Sequence, residues 1–295
     1  MISQLLENMW AEGLTKHGST WQDQTLPSFD PTCLDGIIIN QLPTLMVVGD
    51  ALKDTYLIGD WTIRNDAQRF KPNDCLRFMG GAANTHANAK AILGSKARVI
   101  SWMNLEPLEL FRLIGGSQTL EVYTEAVHHF SLSLPPSPKV KLTGLVISDY
   151  NKGTVNKWAP ESAPSADWLI VDSRYRSIHP SWLELAPIKI WRCTGDEYDA
   201  EWAKQFDLIV HTDASKSVCL CKSEGTIIRD FPVPQISPVD TCGAGDTFTA
   251  ALAAQLLLAP SSKGEQALIE ALPFCIEAAQ DVCMQPYTAI TSKRL

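Results

Sequence analysis

The string PVDTCGAGDTFTAAL, residues 238–252, decides the reading of this chain. Gly243 and Gly245 flank Ala244, so the backbone there can turn tightly and present N–H groups to an anion. The apolar, alanine-rich residues that follow predict a helix over 243–258, whose positive N-terminal end adds to those amides. Gly243, Ala244 and Gly245 are therefore expected to form an anion hole for a phosphoryl group. Asp246 stands in the same turn, where it can take a proton from an attacking hydroxyl. Asp240, six residues before Asp246, is placed to hold Mg²⁺ or its water. A glycine-rich helix start with a capping Asp would share some of these features. The full string is more specific than that.

Outward from this turn, apolar runs alternate with helical stretches. TLMVVG (44–49), ARVISWM (97–103), KLTGLVISDY (141–150), DWLIVDS (167–173), IKIWRCT (188–194) and FDLIVHT (206–212) each read as a buried strand, and several end in Ser, Thr or Asp. Such alternation predicts a parallel α/β sheet, with ligands at the C-terminal ends of the strands. GGAANTHANAKAILG (80–94) reads as a helix opened by Gly80 and Gly81 and closed by Gly94. Residues 55–78 read as short, half-exposed strands, 106–114 as a helix and 119–124 as a strand. VCLCKSEGTIIRDFPVP (218–234) reads as a hairpin turning at Glu224-Gly225. Residues 264–284 are helical with Pro273 as an interruption. Residues 1–40, which hold a possible amphipathic face of Leu5, Leu6, Met9 and Trp10 and then a Pro-rich loop, read as an N-terminal extension.

Composition narrows the function classes. With 45% hydrophobic residues the chain can bury a full core, which excludes a disordered or fibrous protein. No apolar run approaches the roughly 18 residues that span a bilayer, so no membrane role is expected. The N-terminus has no basic segment followed by an apolar run, and a cytoplasmic setting is expected. The net charge of −8, from 25 Lys and Arg against 33 Asp and Glu, argues against a nucleic-acid partner. The eight cysteines show no C-x-x-C spacing and are read as reduced, mostly buried thiols rather than a zinc or redox site. His86 would point away from Asn84 on a helix and reads as a packing residue.

The string at 238–252 resembles the second signature of the PfkB (ribokinase-like) carbohydrate kinases, D-T-x-G-A-G-D. Other segments resemble the same family in the same order. VVGDALKDTYLIGD (47–60) is similar to the strand that delivers a carboxylate to sugar hydroxyls, with Asp50 and Asp54 as the matching residues. MGGAANTHANAKAILG (79–94) is similar to the Gly-Gly segment that closes on the sugar, with Gly80, Gly81 and Asn84 in place. The GGAAN spelling, and the S-D-Y-x-K-G spelling of LVISDYNKG (145–153), resemble the heptose-7-phosphate kinase domain of the bifunctional ADP-heptose synthesis enzyme. IVDSRYR (170–176) matches that subgroup's D-P-K segment, with Arg174 for Lys. The resemblance implies a ribokinase-like parallel-sheet sandwich with helices on both faces and a small, reduced β lid. It covers 41–295 as one kinase domain, with lid segments at about 55–79 and 115–135. It implies ATP and Mg²⁺ as cofactors, a sugar or sugar phosphate as acceptor, and a possible homodimer through the lid. Lys152 and Arg174 would hold substrate or nucleotide phosphates.

Three departures from the family pattern stand out. In RCTGDEY (192–198) Thr194 replaces the Asn of N-x-x-E, while Glu197, the expected Mg²⁺ and nucleotide-side residue, is kept. The nucleotide loop LIVHTDASKSV (208–218) has Asp213 where a glycine is expected. The segment between Gly94 and Ser148 is short. The H-x-G-H motif of the nucleotidyltransferase half is absent. Two alternatives therefore stand beside the kinase. One is a catalytically impaired kinase-fold protein acting as a sugar-binding or regulatory partner. The other is a kinase for another sugar or a nucleoside, with Tyr56, Trp61 and Phe78 as a stacking wall or simply as lid core.

Overall fold

The computed structural model describes residues 42–64, 67–104, 108–116, 118–123, 141–156, 160, 163–259 and 264–295. The extension over 1–40 and the lid residues 124–135 lie outside the described residues. In chain order the strands are β1 (Thr44–Gly49), β2 (Ala51–Arg64), β3 (Ala67–Gly81), β4 (Arg98–Met103), β5 (Leu108–Gly115), β6 (Gln118–Tyr123), β7 (Gly144–Asp149), β8 (Trp168–Ser173), β9 (Ile188–Thr194), β10 (Leu208–Asp213), β11 (Ser217–Lys222) and β12 (Ile227–Pro232). The helices are α1 (Ala82–Leu93), α2 (Ala200–Ala203), α3 (Ala244–Leu258) and α4 (Glu265–Cys283). The chain divides into two compact units, one holding Lys53–Phe78 and Leu108–Ala126, the other the remaining described residues.

The larger unit is built on an eight-stranded sheet in the order β12-β11-β10-β9-β8-β7-β1-β4. From β10 to β4 every neighbour pair is parallel, and β11 and β12 close one edge antiparallel. Strands β1 and β7 are buried along their whole length, as parallel strands covered on both faces must be. Alternate residues supply two cores. Leu45, Val47, Val146, Ile170 and Val210 meet α1, α3 and α4 on one face. Met46, Val48, Ile147, Val171 and Trp191 meet Trp182, Ala203 and Phe206 on the other. Each such aliphatic side chain contributes about 1.5–3 kcal/mol by leaving water. The parallel sheet with helices, expected from the alternating runs, is the one observed.

The smaller unit is a four-stranded sheet, β3-β2-β5-β6. The sequence reading needs three corrections, two of them here. The segment 55–78 does not break into short strands; it belongs to the long strands β2 and β3, of 14 and 15 residues. Residues 108–115 form β5, not a helix, and pair antiparallel with β6. Leu, Glu and Arg favour a helix locally, but pairing with a neighbouring strand overrides that preference, and the missed signal is Gly115-Gly116, with Gly116 at φ 59. Tyr56 packs edge-on against Phe78 and Trp61 tilts on Phe70, so these aromatics form part of the smaller unit's own packing. The third correction is in the larger unit, where α4 runs straight through Pro273. Its buried face, Leu268, Leu272, Cys275 and Ile276, outweighs the lost N–H bond.

Three further expectations can be compared with the described residues. The hairpin forms, with Gly225 at φ 85 in its turn. The seven described cysteines are free thiols, and burial pushes Cys193 up to about 12, which keeps it protonated. His86 is buried on α1, and burial depresses its pKa to about 4. The unfolded chain therefore takes up this proton near pH 6.5 while the folded chain does not, so stability falls as pH drops. Between pH 6.5 and 4 the loss amounts to about 3 kcal/mol. Urea midpoints at pH 7 and 4.5 should diverge in the wild type and converge in His86→Gln; parallel slopes in the two proteins would refute the assignment.

Candidate active site

The glycine-rich turn folds as its composition requires. Gly243 is the N-cap of α3 at φ 78 and ψ −1, a left-handed conformation that favours glycine. A Cβ there would also lie 2.6 Å from the Asn84 amide nitrogen. The Ala244 N–H turns back to the Thr241 carbonyl at 3.3 Å. The next amides open the helix, where no intrahelical acceptor exists for them. Against Gly245 lies the guanidinium of Arg192, 3.2 Å from where a Cβ would sit. Arg192 leaves β9 with its side chain 12% exposed, ion-pairs with Asp172 at 3.2 Å and donates to Thr212. Asp172 also accepts from Thr249 at 2.6 Å. A compensated cation thus lies beside the positive end of α3, and together they favour an anion at the turn.

Asp246 follows in the first turn of α3, 5% exposed. Its Oδ2 accepts from Asn84 Nδ2 at 3.1 Å. Its Oδ1 accepts from the Tyr150 hydroxyl at 2.7 Å and, at 3.5 Å, from Thr85. Asn84 and Thr85 come from the first turn of α1, and Asn88 one turn later donates to the Asn84 side-chain oxygen at 2.9 Å. The amide expected to meet a sugar thus meets the carboxylate. Gly80 and Gly81 end β3 just before α1, and Gly81, at φ 58, lets the chain pass close to the Asp50 carbonyl.

Asp50 is fully buried. Its Oδ2 accepts from the backbone N–H groups of Tyr150 and Lys152, and its Oδ1 from that of Thr154. It clamps the loop after β7 through the backbone N–H groups of Tyr150, Lys152 and Thr154. Asp54, in the smaller unit, lies 3.9 Å from Arg112. Arg174 is two-thirds exposed, 3.8 Å from Glu197. The other Glu197 oxygen accepts from the Thr194 N–H at 2.8 Å, so the Thr-x-x-Glu spacing closes the short turn after β9 like half of a capping box. Thr194 also shares a hydrogen bond with Thr212. Asp213 pairs with Lys216 at 3.0 Å, which offsets its charge within the loop. Asp240 accepts from the N–H groups of Cys242 and Tyr287.

Comparison with known proteins fits this geometry. Residues 196–293 match the model of the pfkB family carbohydrate kinases. The ribokinase of Thermotoga maritima is similar over 84% of this chain and 94% of its own, at 15% identity and a TM-score of 0.59. The nucleoside kinase of Methanocaldococcus jannaschii, a member of the ribokinase family, is similar over 86% and 95%, at 11% identity and 0.58. The ribokinase of Arabidopsis thaliana, solved with ribose and ATP, is similar over 85% and 96%, at 17% identity and 0.55. The fold is ribokinase-like. No curated protein sequence matches.

Within the ribokinase-like fold, the residues present suit a phosphate at the start of α3: an opened backbone, a helix N-terminus and a buried cation. They suit a protein-held Mg²⁺ less well. Asp240 and Glu197 are engaged by backbone donors, and among the described residues no three His, Cys, Asp or Glu side chains form a group that could hold a metal. An ion arriving on a nucleotide would keep phosphate and water as most of its ligands. Sequence reasoning did not single out Tyr150, Thr85, Asp172 or Arg192. Arg192 had a visible signal, a charge inside a buried strand. Tyr150 stands in the quoted S-D-Y-x-K-G spelling, but its role is not readable there, because its partner lies 96 positions away.

Proposed function

We propose that this chain is an ATP-dependent kinase for a hydroxyl of a sugar or sugar phosphate, similar to the heptose-7-phosphate kinases. The observation that carries the reading is Asp246, held by the Asn84 amide and the Tyr150 hydroxyl at a left-handed glycine turn on a helix N-terminus. Asp246 takes the proton of the acceptor hydroxyl. The hydroxyl oxygen bonds to the γ-phosphorus in line as the bond to the ADP oxygen breaks. The opening amides of α3 and the Arg192 charge stabilise the transferring group. Mg²⁺ bound with the nucleotide supplies further charge neutralisation. The turn after Gly80-Gly81 is the group proposed to take the sugar hydroxyls, and Lys152 and Arg174 those proposed for phosphates.

The test is calorimetry with ATP and Mg²⁺, followed by coupled ADP-release assays on ribose, fructose, nucleosides and heptose 7-phosphate. Binding at sub-millimolar nucleotide, with turnover on one of these acceptors, is the expected result. No ATP binding at millimolar nucleotide would overturn the kinase and favour a sugar-binding or regulatory role.

A further inference from the structure

We propose that Tyr150 is a positioning residue for Asp246, delivered by a loop that Asp50 holds in shape. The inference rests on the base role of Asp246. The contact is a phenol donating to a carboxylate at 2.7 Å, the short distance of a charge-assisted bond. Such a bond fixes the carboxylate's orientation and favours its charged form.

The rest of the loop is shaped to make that contact. The Tyr150 N–H is tied to Asp50 Oδ2 at 3.0 Å, and the same carboxylate takes the N–H groups of Lys152 and Thr154. Asn151 is held at φ 56, a conformation uncommon for a residue other than glycine, and Gly153 at φ 115. Asn151 is fixed by its own contacts: its N–H donates to Asp149 at 2.8 Å and its side-chain oxygen accepts from Ser177 and Asn156. The tyrosine ring lies over Gly81, where a Cβ would come 3.3 Å from Cε2. A buried carboxylate after β1 therefore reaches the proposed base on α3 in two steps, Asp50 to the Tyr150 backbone and the Tyr150 hydroxyl to Asp246. This gives Asp50 a task that needs no contact with sugar.

Tyr150→Phe removes the hydroxyl and keeps the ring on Gly81. Charged groups near the pair include Asp50 after β1, and Arg192 of β9 with its ion-pair partner Asp172 of β8, and Tyr150→Phe leaves these residues in place. The first readout needs no substrate: a ¹³C-carboxyl titration of aspartate-labelled protein, with the Asp246 resonance identified by its loss in Asp246→Asn. In Tyr150→Phe the Asp246 midpoint should rise by about one pH unit, equivalent to about 1.4 kcal/mol. The second readout is turnover: the acid limb of kcat should move up by the same amount, with KM for ATP unchanged. A midpoint within about 0.3 unit of wild type would overturn the proposal, since it corresponds to only about 0.4 kcal/mol. A shifted midpoint without turnover on any acceptor would leave the positioning device standing and sink the kinase reading. Turnover with an unmoved midpoint and acid limb would do the reverse.

Discussion

On the proposed base role, Asp246→Asn is expected to lower kcat about a thousandfold, within the range for loss of a general base, and to leave ATP affinity near wild type. The amide has the carboxylate's shape, so Tyr150 can still donate to its oxygen and α3 keeps its first turn. What it lacks is the lone-pair basicity to take the hydroxyl proton. The side chain sits in the turn and is 5% exposed, so bulk water is a poor substitute base. The measurement is steady-state turnover beside calorimetric ATP binding and a melting curve. Retention of more than about a tenth of wild-type kcat would mean that another group takes the proton. A fall in melting temperature that matched the loss of activity would assign the effect to folding instead.

Gly49→Ala is expected to lose about 4 kcal/mol or more, enough to prevent accumulation of folded protein. Gly49 ends β1 at φ 150, opposite Ser148 of β7. A Cβ would stand 1.9 Å from the Ser148 carbonyl oxygen and 2.8 Å from its carbon. Both are backbone atoms of a fully buried strand, so no rotamer can relieve the clash. That same carbonyl accepts the Asp50 N–H, so pushing it aside loosens the clamp on the loop carrying Tyr150. Gly94→Ala is the control. Gly94 also has positive φ, 54, with ψ −125, but nothing lies within 4 Å of its missing Cβ, so only backbone strain of about 1–3 kcal/mol applies. Soluble yield and urea midpoints of the two variants check this. Equal effects would show that strain, not the approach of β7, sets the cost at Gly49.

The elements legible in the sequence are those whose information is local. The strands of the large sheet declare themselves by unbroken apolar runs, and α3 by its alanine-rich continuation from the glycine turn. The lid was harder. β5 reads LELFRLIG, residues with good helix propensity, and only its pairing with β6 makes it a strand. Pro273 marks a helix end locally, but the packed face of α4 carries the helix through it.

The candidate site divides in the same way. The turn Gly243–Asp246 is legible because its shape depends on backbone conformation at adjacent positions, and glycine spacing records that directly. The carboxylate at Asp50 is legible as a polar residue at a strand end, but not its occupation, which is decided by three amides about a hundred positions away. Asn84 is legible as an amide after Gly-Gly, but its partner, Asp246, is 162 residues distant. The sequence by itself determined the parallel sheet, the glycine turn and the carboxylate that follows it, because periodicity and backbone freedom are properties of neighbours in the chain. Only the tertiary structure decided that Tyr150, Asn84 and Thr85 converge on that carboxylate and that Arg192 lies against Gly245. Those are hydrogen bonds and contacts between strand ends and helix starts, and the order of strands in the sheet, not the spacing of residues, brings them together.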